Sequence, residues 1–163
     1  MELGYIEIFR EFNKSGIDYL VVGGFAVNLF GVPRLTYDID LMIHFDPENI
    51  KKLISKLTQW DYKPKIPVDP MELSNESKRS SWIFEKGMKA LNFYNETQPV
   101  GEIDIVIHSP ISYESLKERA VRVQIQDVSI PVVSIHDLIE LKLYAGRKQD
   151  LSDIEYLKLI LEK

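Results

Sequence analysis

Two aspartates separated by one residue are the first sign of chemistry in this sequence. Asp38 and Asp40 lie in a segment, 36–45, whose alternating apolar residues predict a β-strand. Because side chains alternate between the faces of a strand, both carboxylates point the same way. Aspartate is depleted in strands, and a neighbouring pair repels itself unless a cation lies between the two charges. Mg²⁺ binds carboxylate oxygens and keeps positions free for phosphate. The pair therefore indicates a metal site, and the alternative is an exposed face of a half-buried strand.

A second acidic pair repeats this pattern later in the chain. Glu102 and Asp104 alternate with isoleucines on a predicted strand over 102–108, so they also share one face. Carboxylates on neighbouring strands can hold two metal ions about 3.5–4 Å apart, which is the arrangement that clamps both oxygens of a phosphoryl displacement. The two pairs together predict a metal-dependent phosphoryl-transfer site.

A lysine lies on the apolar face of a predicted helix. At about 100° per residue, Lys142 falls among the apolar positions of a helix over 135–146. A buried ammonium needs a partner, for which the carboxylate cluster or a substrate triphosphate are the candidates; the alternative is a buried stem whose amine reaches solvent. Asp150 and Asp153 fall on the core face of the next helix, over 150–162, and favour the inward lysine. Asp150 also fits the N-cap of that helix, and Asp153 suits its first turn.

The elements that must position these residues are short helices and short strands. Helices are predicted over residues 3–14, 25–30, 47–60, 113–119, 135–146 and 150–162. Strands are predicted over residues 19–22, 36–45, 82–85, 91–94, 102–108, 121–125 and 130–133. The segment 62–80 contains three prolines and is interpreted as a long loop. The predicted fold class is α+β, a mixed sheet flanked by helices, with a helical pair at the C-terminus.

The composition predicts one globular domain over residues 1–163. Hydrophobic residues make up 45% and charged residues 28% of the chain, and the net charge of −5 is not that of a strong nucleic-acid binder. The absence of cysteine excludes disulfides, thiolate zinc sites and cysteine nucleophiles. Neither a signal peptide nor an apolar run of about 20 residues is present, which predicts a cytoplasmic protein without a membrane anchor.

The order of these residues resembles the DNA polymerase β-like nucleotidyltransferase superfamily. The signature of that superfamily is a Gly-Gly or Gly-Ser turn, a short helix, D-x-D on a strand and a third aspartate on a later strand. The matching positions are Gly23, Gly24, Asp38, Asp40 and Asp104. Two further stretches, 34–40 and 141–154, are similar to the minimal and AbiEii-like branches of the superfamily.

The resemblance implies an activity and a role for each matching residue. The implied enzyme moves a nucleoside monophosphate from a nucleoside triphosphate to an acceptor hydroxyl and releases pyrophosphate. Mg²⁺, as two ions, is held by Asp38, Asp40 and Asp104, and Asp104 helps to deprotonate the acceptor. Lys142 offsets phosphate charge. The nucleotide is contacted by Gly23, Gly24, Thr36 and Asp153, and Arg34 either contacts the nucleotide or pairs with an aspartate.

Several alternatives stay open at this stage. The acceptor is a small molecule, a protein or an RNA, and the enzyme acts in a toxin–antitoxin pair or modifies an antibiotic, as lincosamide nucleotidyltransferases do. A chain with this fold can also be a non-catalytic nucleotide-binding or toxin–antitoxin interaction module, since a fold does not fix a function. A two-fold homodimer is the default oligomer. The base preference and the roles of Glu102 and of segment 62–80 are left open.

Overall fold

A computed structural model of the chain describes residues 3–97 and 100–163. Within these residues, the strands are β1 (Tyr19–Val22), β2 (Ile39–Ile43), β3 (Lys63–Pro64), β4 (Ala90–Tyr94), β5 (Ile103–Val106), β6 (Val121–Ile125) and β7 (Val128–Val132). They form one mixed sheet in the order β3-β4-β5-β2-β1-β7-β6. The strands that carry the acidic residues therefore lie in the interior of the sheet.

The helices surround this sheet and include a pair at the C-terminus. They are α1 (Tyr5–Lys14), α2 (Gly23–Leu29), α3 (Pro47–Gln59), α4 (Glu76–Lys86), α5 (Tyr113–Glu118), α6 (Ile135–Ala145) and α7 (Lys148–Leu161), with a 3₁₀ turn over Pro70–Ser74. The predicted α+β class with a C-terminal helical pair is confirmed. No helix in the described ranges is long and apolar enough to cross a membrane.

Local sequence signals explain where the helices begin and end. The Asp46 side chain accepts a hydrogen bond from the backbone N–H of Asn49 at 2.9 Å, and Pro47 opens α3 at a position where no N–H is needed. Gly87 ends α4 and Gly146 ends α6, each in the left-handed conformation with φ of 65°. These signals fix the helix ends independently of tertiary packing.

The register of the central strands brings the two acidic segments together. β2 runs antiparallel to β1 and parallel to β5. Asp40 lies opposite Val22 on one side and opposite Asp104 on the other. The alternate residues of β2 are buried in the hydrophobic core, including Ile39 and Leu41, which are fully buried. The core therefore fixes the strand face on which the carboxylates lie.

The predicted strand over 82–85 is wrong, because these residues belong to α4. The Asn75 side chain caps this helix by accepting a hydrogen bond from the N–H of Lys78 at 3.1 Å. Only Trp82 among the helix residues is buried, whereas Phe84 is exposed. A short apolar run does not distinguish a strand from one face of a helix. Segment 62–80 is likewise not a continuous loop, since it contains β3, the 3₁₀ turn and the start of α4.

Candidate active site

Asp40 and Asp104 form the centre of the acidic cluster. They are direct neighbours on the parallel strands β2 and β5, and each carboxyl group affects the pKa of the other. Asp38 precedes β2, and its Oδ1 accepts a hydrogen bond from the backbone N–H of Glu102 at 2.8 Å. The two acidic segments that the sequence pairs by pattern are therefore adjacent in space.

Glycines make room for these carboxylates. Gly23 has a φ of 67°, and a Cβ atom placed on it would lie 2.1 Å from Oδ2 of Asp40. A Cβ atom on Gly101 would lie 2.6 Å from Oδ1 of Asp38 and 2.4 Å from the backbone oxygen of Tyr37. Both positions require the absence of a side chain, because atoms of the site occupy the space that a Cβ would need.

Three carboxylates are close enough to share a cation. One oxygen each from Asp38, Glu102 and Asp104 lie within 4.8 Å of one another. All three donors are carboxylate oxygens, which suit Mg²⁺ better than a soft metal. Glu102 also forms an ion pair with Lys65, which follows strand β3. Two of the three aspartates that the sequence predicts as metal ligands, Asp38 and Asp104, are therefore grouped with Glu102, whereas Asp40 lies beside Asp104 and outside this group.

The electrostatics of the cluster favour bound protons when no cation is present. Burial raises the pKa of Asp104 to about 7; the hydrogen bond from Asn92 opposes this shift, and the charges of Asp40, Glu102 and Asp38 add to it. Burial, followed by the charge of Asp38, also raises the pKa of Asp40. A cation bound here would favour the charged form of both carboxyl groups and so lower both pKa values.

The ion-pair partners of Lys142 are not the two candidates named from the sequence, the carboxylate cluster and a substrate triphosphate. Its side chain is buried, and its Nζ lies 3.1 Å from Oδ1 of Asp150 and 2.9 Å from Oδ2 of Asp153. The amine therefore does not reach solvent, and both carboxylates belong to α7. Its charge still lowers the pKa of Asp40, so Lys142 also acts on the acidic cluster.

Two of the residues predicted to contact nucleotide, Arg34 and Asp153, form an ion pair. Nη1 of Arg34 lies 2.6 Å from Oδ2 of Asp153, so these two residues are paired with each other. A Cβ atom on Gly24 would lie 2.8 Å from Nη1 of Arg34 and 3.3 Å from Oγ1 of Thr36. Gly24, Arg34 and Thr36 are therefore together beside the site, whereas Asp153 is buried and bound to Arg34 and Lys142.

The expectation that Asp150 is the N-cap of α7 is wrong. The N-cap is Arg147, and Asp150 occupies the third helical position, where its carboxylate accepts a hydrogen bond from the backbone N–H of Arg147 at 3.1 Å. The Arg147 guanidinium and Lys142 donate to the same carboxylate. Asp150 therefore connects the cations of α6 and α7 to one another.

A groove of about 320 Å³ opens beside Asp40, between the sheet and α6. The floor of this groove carries apolar side chains of four neighbouring strands, Val22, Met42, Ala90 and Val106. Its wall is formed by α6 residues that include Leu138, Leu141 and Tyr144. Its polar and charged lining includes Asp40, Lys89, His108, Lys142, Arg147 and Asp150.

Two polar residues of the site, Asn92 and Lys65, are not predicted from the sequence. Asn92 lies on the neighbouring strand β4, and its Nδ2 donates a hydrogen bond of 2.7 Å to Oδ1 of Asp104. Lys65 forms an ion pair with Glu102. The alternation of residues 90–94 indicates that Asn92 faces away from the core. Its position opposite Asp104 depends on strand register, which the sequence does not specify.

Comparison with known families gives this geometry a context. Residues 8–158 match the model of a family described as "Nucleotidyl transferase AbiEii toxin, Type IV TA system". No curated protein sequence matches the chain.

Solved structures share the fold over nearly the whole chain. The lincosamide antibiotic adenylyltransferase LnuA, solved with lincomycin bound, is 20% identical over 94% of this chain and 93% of its own, with a TM-score of 0.63. A putative nucleotidyltransferase from Thermotoga maritima is 15% identical over 96% and 90%, with a TM-score of 0.57. The antibiotic-resistance factor ANT(2'')-Ia is 12% identical over 94% and 80%, with a TM-score of 0.60. At these identities, the likeness establishes the nucleotidyltransferase fold.

Proposed function

The chain belongs to the AbiEii nucleotidyl transferase family, and from this membership we propose that it moves a nucleoside monophosphate from a nucleoside triphosphate to an acceptor hydroxyl. The observation that carries the proposal is the pair Asp40 and Asp104, in register on parallel strands, with Asp38 and Glu102 alongside. A carboxylate cluster of this kind suits an in-line displacement at phosphorus. In the reaction, the acceptor oxygen forms a bond to the α-phosphorus while the bond to pyrophosphate breaks.

The donor set fits a divalent cation. Asp38, Asp40 and Asp104 would hold Mg²⁺, as two ions, and Glu102 would contribute a further carboxylate. Mg²⁺ bound there would polarise the phosphate oxygens and offset the charge that develops on the leaving pyrophosphate. The pairing of Arg34 with Asp153 supports a structural role for both residues next to the glycine turn.

The protein groups around this cluster have separate tasks in the proposed reaction. Asp104 accepts the proton of the acceptor hydroxyl, and the hydrogen bond from Asn92 holds its carboxylate in place. Lys142 and Arg147 line the groove beside Asp40 and are both paired with Asp150; in the proposed reaction they balance the negative charge of the site when the triphosphate binds. No covalent intermediate with the protein is required.

The acceptor and the partner belong to the proposal as well. The family description names a toxin of a toxin–antitoxin system. We take the chain to act with an antitoxin partner that limits its activity. The acceptor belongs to one of three classes: RNA, protein or a small molecule such as a lincosamide.

The proposal is tested by incubating the protein with each α-³²P-labelled nucleoside triphosphate and Mg²⁺. Purified cellular RNA, cellular protein and lincomycin are supplied in separate reactions. The expected result is label transfer to one acceptor class, lost on chelation by EDTA and in Asp38→Asn and Asp40→Asn. Label transfer that persists in both variants would contradict the assignment of these carboxylates. Absence of transfer to every acceptor, with folded protein, would contradict the activity itself.

A further inference from the structure

Exposed apolar side chains are concentrated on the C-terminal helical pair. Among the residues that the structure describes, ten large apolar residues are exposed, and six of them lie in segment 143–161. Four of these six belong to α7, namely Leu151, Tyr156, Leu159 and Leu161. Apolar residues that are scattered singly over a surface need no explanation, but a concentration on one element is typical of a surface that binds another protein.

One exposed strip of α7 is symmetric about its middle residue, Glu155. Residues three, four and seven positions apart lie on the same side of a helix. The strip that they form here is exposed throughout and consists of Lys148, Leu151, Glu155, Leu159 and Glu162. The two leucines are each four residues from Glu155, and the two end charges are each seven residues from it. The strip therefore reads the same in its apolar positions from either end and carries opposite charges at its ends.

The charges at the two ends of the strip are unfavourable within a single helix. Lys148 is the first residue of α7, and Glu162 is its C-cap. A cation at the N-terminus and an anion at the C-terminus both oppose the helix dipole. Neither side chain forms an ion pair with any residue that the structure describes. Next to an antiparallel copy of α7, each charge would lie beside an opposite charge and beside the helix end that favours it.

We propose that this strip of α7 is the interface of a two-fold homodimer in which the two α7 helices pack antiparallel. The same surface serves on both subunits, as a two-fold interface requires. Leu151 of each copy packs on Leu159 of the other, and Lys148 pairs with Glu162. A parallel arrangement would instead bring like charges together, so the charges select the antiparallel direction.

The proposed interface is separate from the candidate active site. The inner face of α7 carries Asp150 and Asp153, which bind Lys142, whereas the strip lies on the solvent side of the helix. None of the strip residues lines the groove beside Asp40. Both grooves of the dimer therefore stay open, and association can be measured independently of the transfer activity.

Glu155 is unfavourable in this arrangement, because the two-fold axis places it against its own copy. Like charges that face one another across two helices repel. Glu155→Gln removes this repulsion and should tighten the dimer. The leucine substitutions have the opposite sign, so the same interface is tested from both directions.

The inference is tested by sedimentation equilibrium of the full chain over a series of protein concentrations at low salt. We expect the wild type to form a dimer whose fraction rises with concentration. Leu151→Ser and Leu159→Ser should each raise the dissociation constant more than about tenfold, because each change removes an apolar contact twice in a two-fold dimer. Phe84→Ser, which removes an exposed apolar residue from α4, is the matched control and should leave the dissociation constant unchanged.

Charge reversal tests the direction of the helices. Lys148→Glu and Glu162→Lys should each weaken the dimer about threefold or more, because each brings like charges together twice. The double variant restores opposite charges and should recover most of the affinity. Each single change suits the dipole of its own helix, so urea unfolding should show no loss of stability. Lys51→Glu, an exposed reversal on α3, is the control.

Three results would overturn the inference. A monomer at every concentration would exclude the homodimer and leave the strip to a different protein. A dimer that is unaffected by both leucine substitutions would place the interface on another surface. Failure of the double charge reversal to recover the affinity would exclude the antiparallel arrangement.

Discussion

At the scale of single residues, the space left by glycines decides where the carboxylates lie. Gly23 and Gly87 have nearly the same φ, 67° and 65°. A Cβ on Gly23 would overlap Asp40, whereas a Cβ on Gly87 would meet no atom within 4 Å. A comparison of substitutions at the two glycines therefore distinguishes the backbone strain that a side chain causes from its steric effect on Asp40.

We predict that Gly23→Ala abolishes transfer activity, while Gly87→Ala preserves it. Each substitution costs about 1–2 kcal/mol of stability, because a left-handed conformation is unfavourable for alanine. Only Gly23→Ala also displaces the carboxylate of Asp40. Label transfer and urea unfolding of both variants provide the measurement. Equal loss of activity in the two variants would show that backbone strain, and not contact with Asp40, is responsible.

Asn92 supports a second residue-scale prediction. Its amide holds Asp104, and loss of a partner that orients a metal-binding carboxylate typically costs 10–100-fold in metal affinity or activity. Asn92→Ala should therefore raise the Mg²⁺ concentration for half-maximal transfer by about 10–100-fold. Gln124→Ala, which removes an amide from strand β6 far from the cluster, serves as the control. An unchanged Mg²⁺ midpoint in Asn92→Ala would exclude the positioning role.

At the scale of elements, α6 and α7 are joined by buried charges. Lys142 on α6 bridges Asp150 and Asp153 on α7, and Arg34 binds Asp153 from the segment before β2. A buried ion that loses its partner is costly, because its charge remains out of water. The helical pair is therefore held in place by the same network that adjoins the acidic cluster.

Lys142→Met should destabilise the protein by about 3–5 kcal/mol, since two buried carboxylates lose a cation. A double-mutant cycle with Asp150→Asn should give a coupling free energy of about 0.5–3 kcal/mol in chemical unfolding. The exposed pair Arg10 and Asp127, at 2.7 Å, is the matched surface control and should give a much smaller coupling, because solvent screens its charges. Equal coupling in the two cycles would contradict a special role for the buried network.

The same network predicts a loss of stability in acid. Burial raises the pKa of Asp150, but the hydrogen bonds from Arg147 and Lys142 outweigh it, so the pKa lies below its ordinary value. The group therefore stabilises the fold above its unfolded pKa of about 3.9, and this contribution is lost as the pH falls through the lower folded pKa. Melting temperatures from about pH 6 to about pH 3 should fall less steeply for Asp150→Asn than for the wild type. Parallel curves would rule out this linkage.

At the scale of the whole molecule, the sequence predicts the helices and strands better than it predicts which residues are in contact. Strand alternation and helix caps predict β1, β2, α3 and α6, because these signals are local. The strand predicted over 82–85 is wrong because a four-residue apolar run fits a helix face equally well. The inward direction of Lys142 follows from helix periodicity, but its partners depend on how α7 packs on α6. The adjacency of Asp40 and Asp104 likewise needs strand register, and their role as metal ligands stays a prediction.

Nucleotide binding should stabilise the molecule as a whole. A ligand at about 100 times its dissociation constant adds about 2.7 kcal/mol, which raises the melting temperature of a domain of this size by about 5–10 °C. We expect this shift with Mg²⁺ and the preferred nucleoside triphosphate, and its loss with EDTA. Asp40→Asn is the control, and an equal shift in this variant would place the nucleotide away from the acidic cluster.

The close approach of Gly23 and Gly101 to the carboxylates of the acidic cluster has a genetic consequence. Every missense change of a glycine codon adds at least a Cβ atom, whichever amino acid it encodes. At Gly23 that atom meets Asp40, and at Gly101 it meets Asp38 and the backbone of Tyr37. Under selection against the proposed transfer activity, we therefore expect almost any missense change at these two codons to inactivate the product, and such alleles still encode the full-length chain.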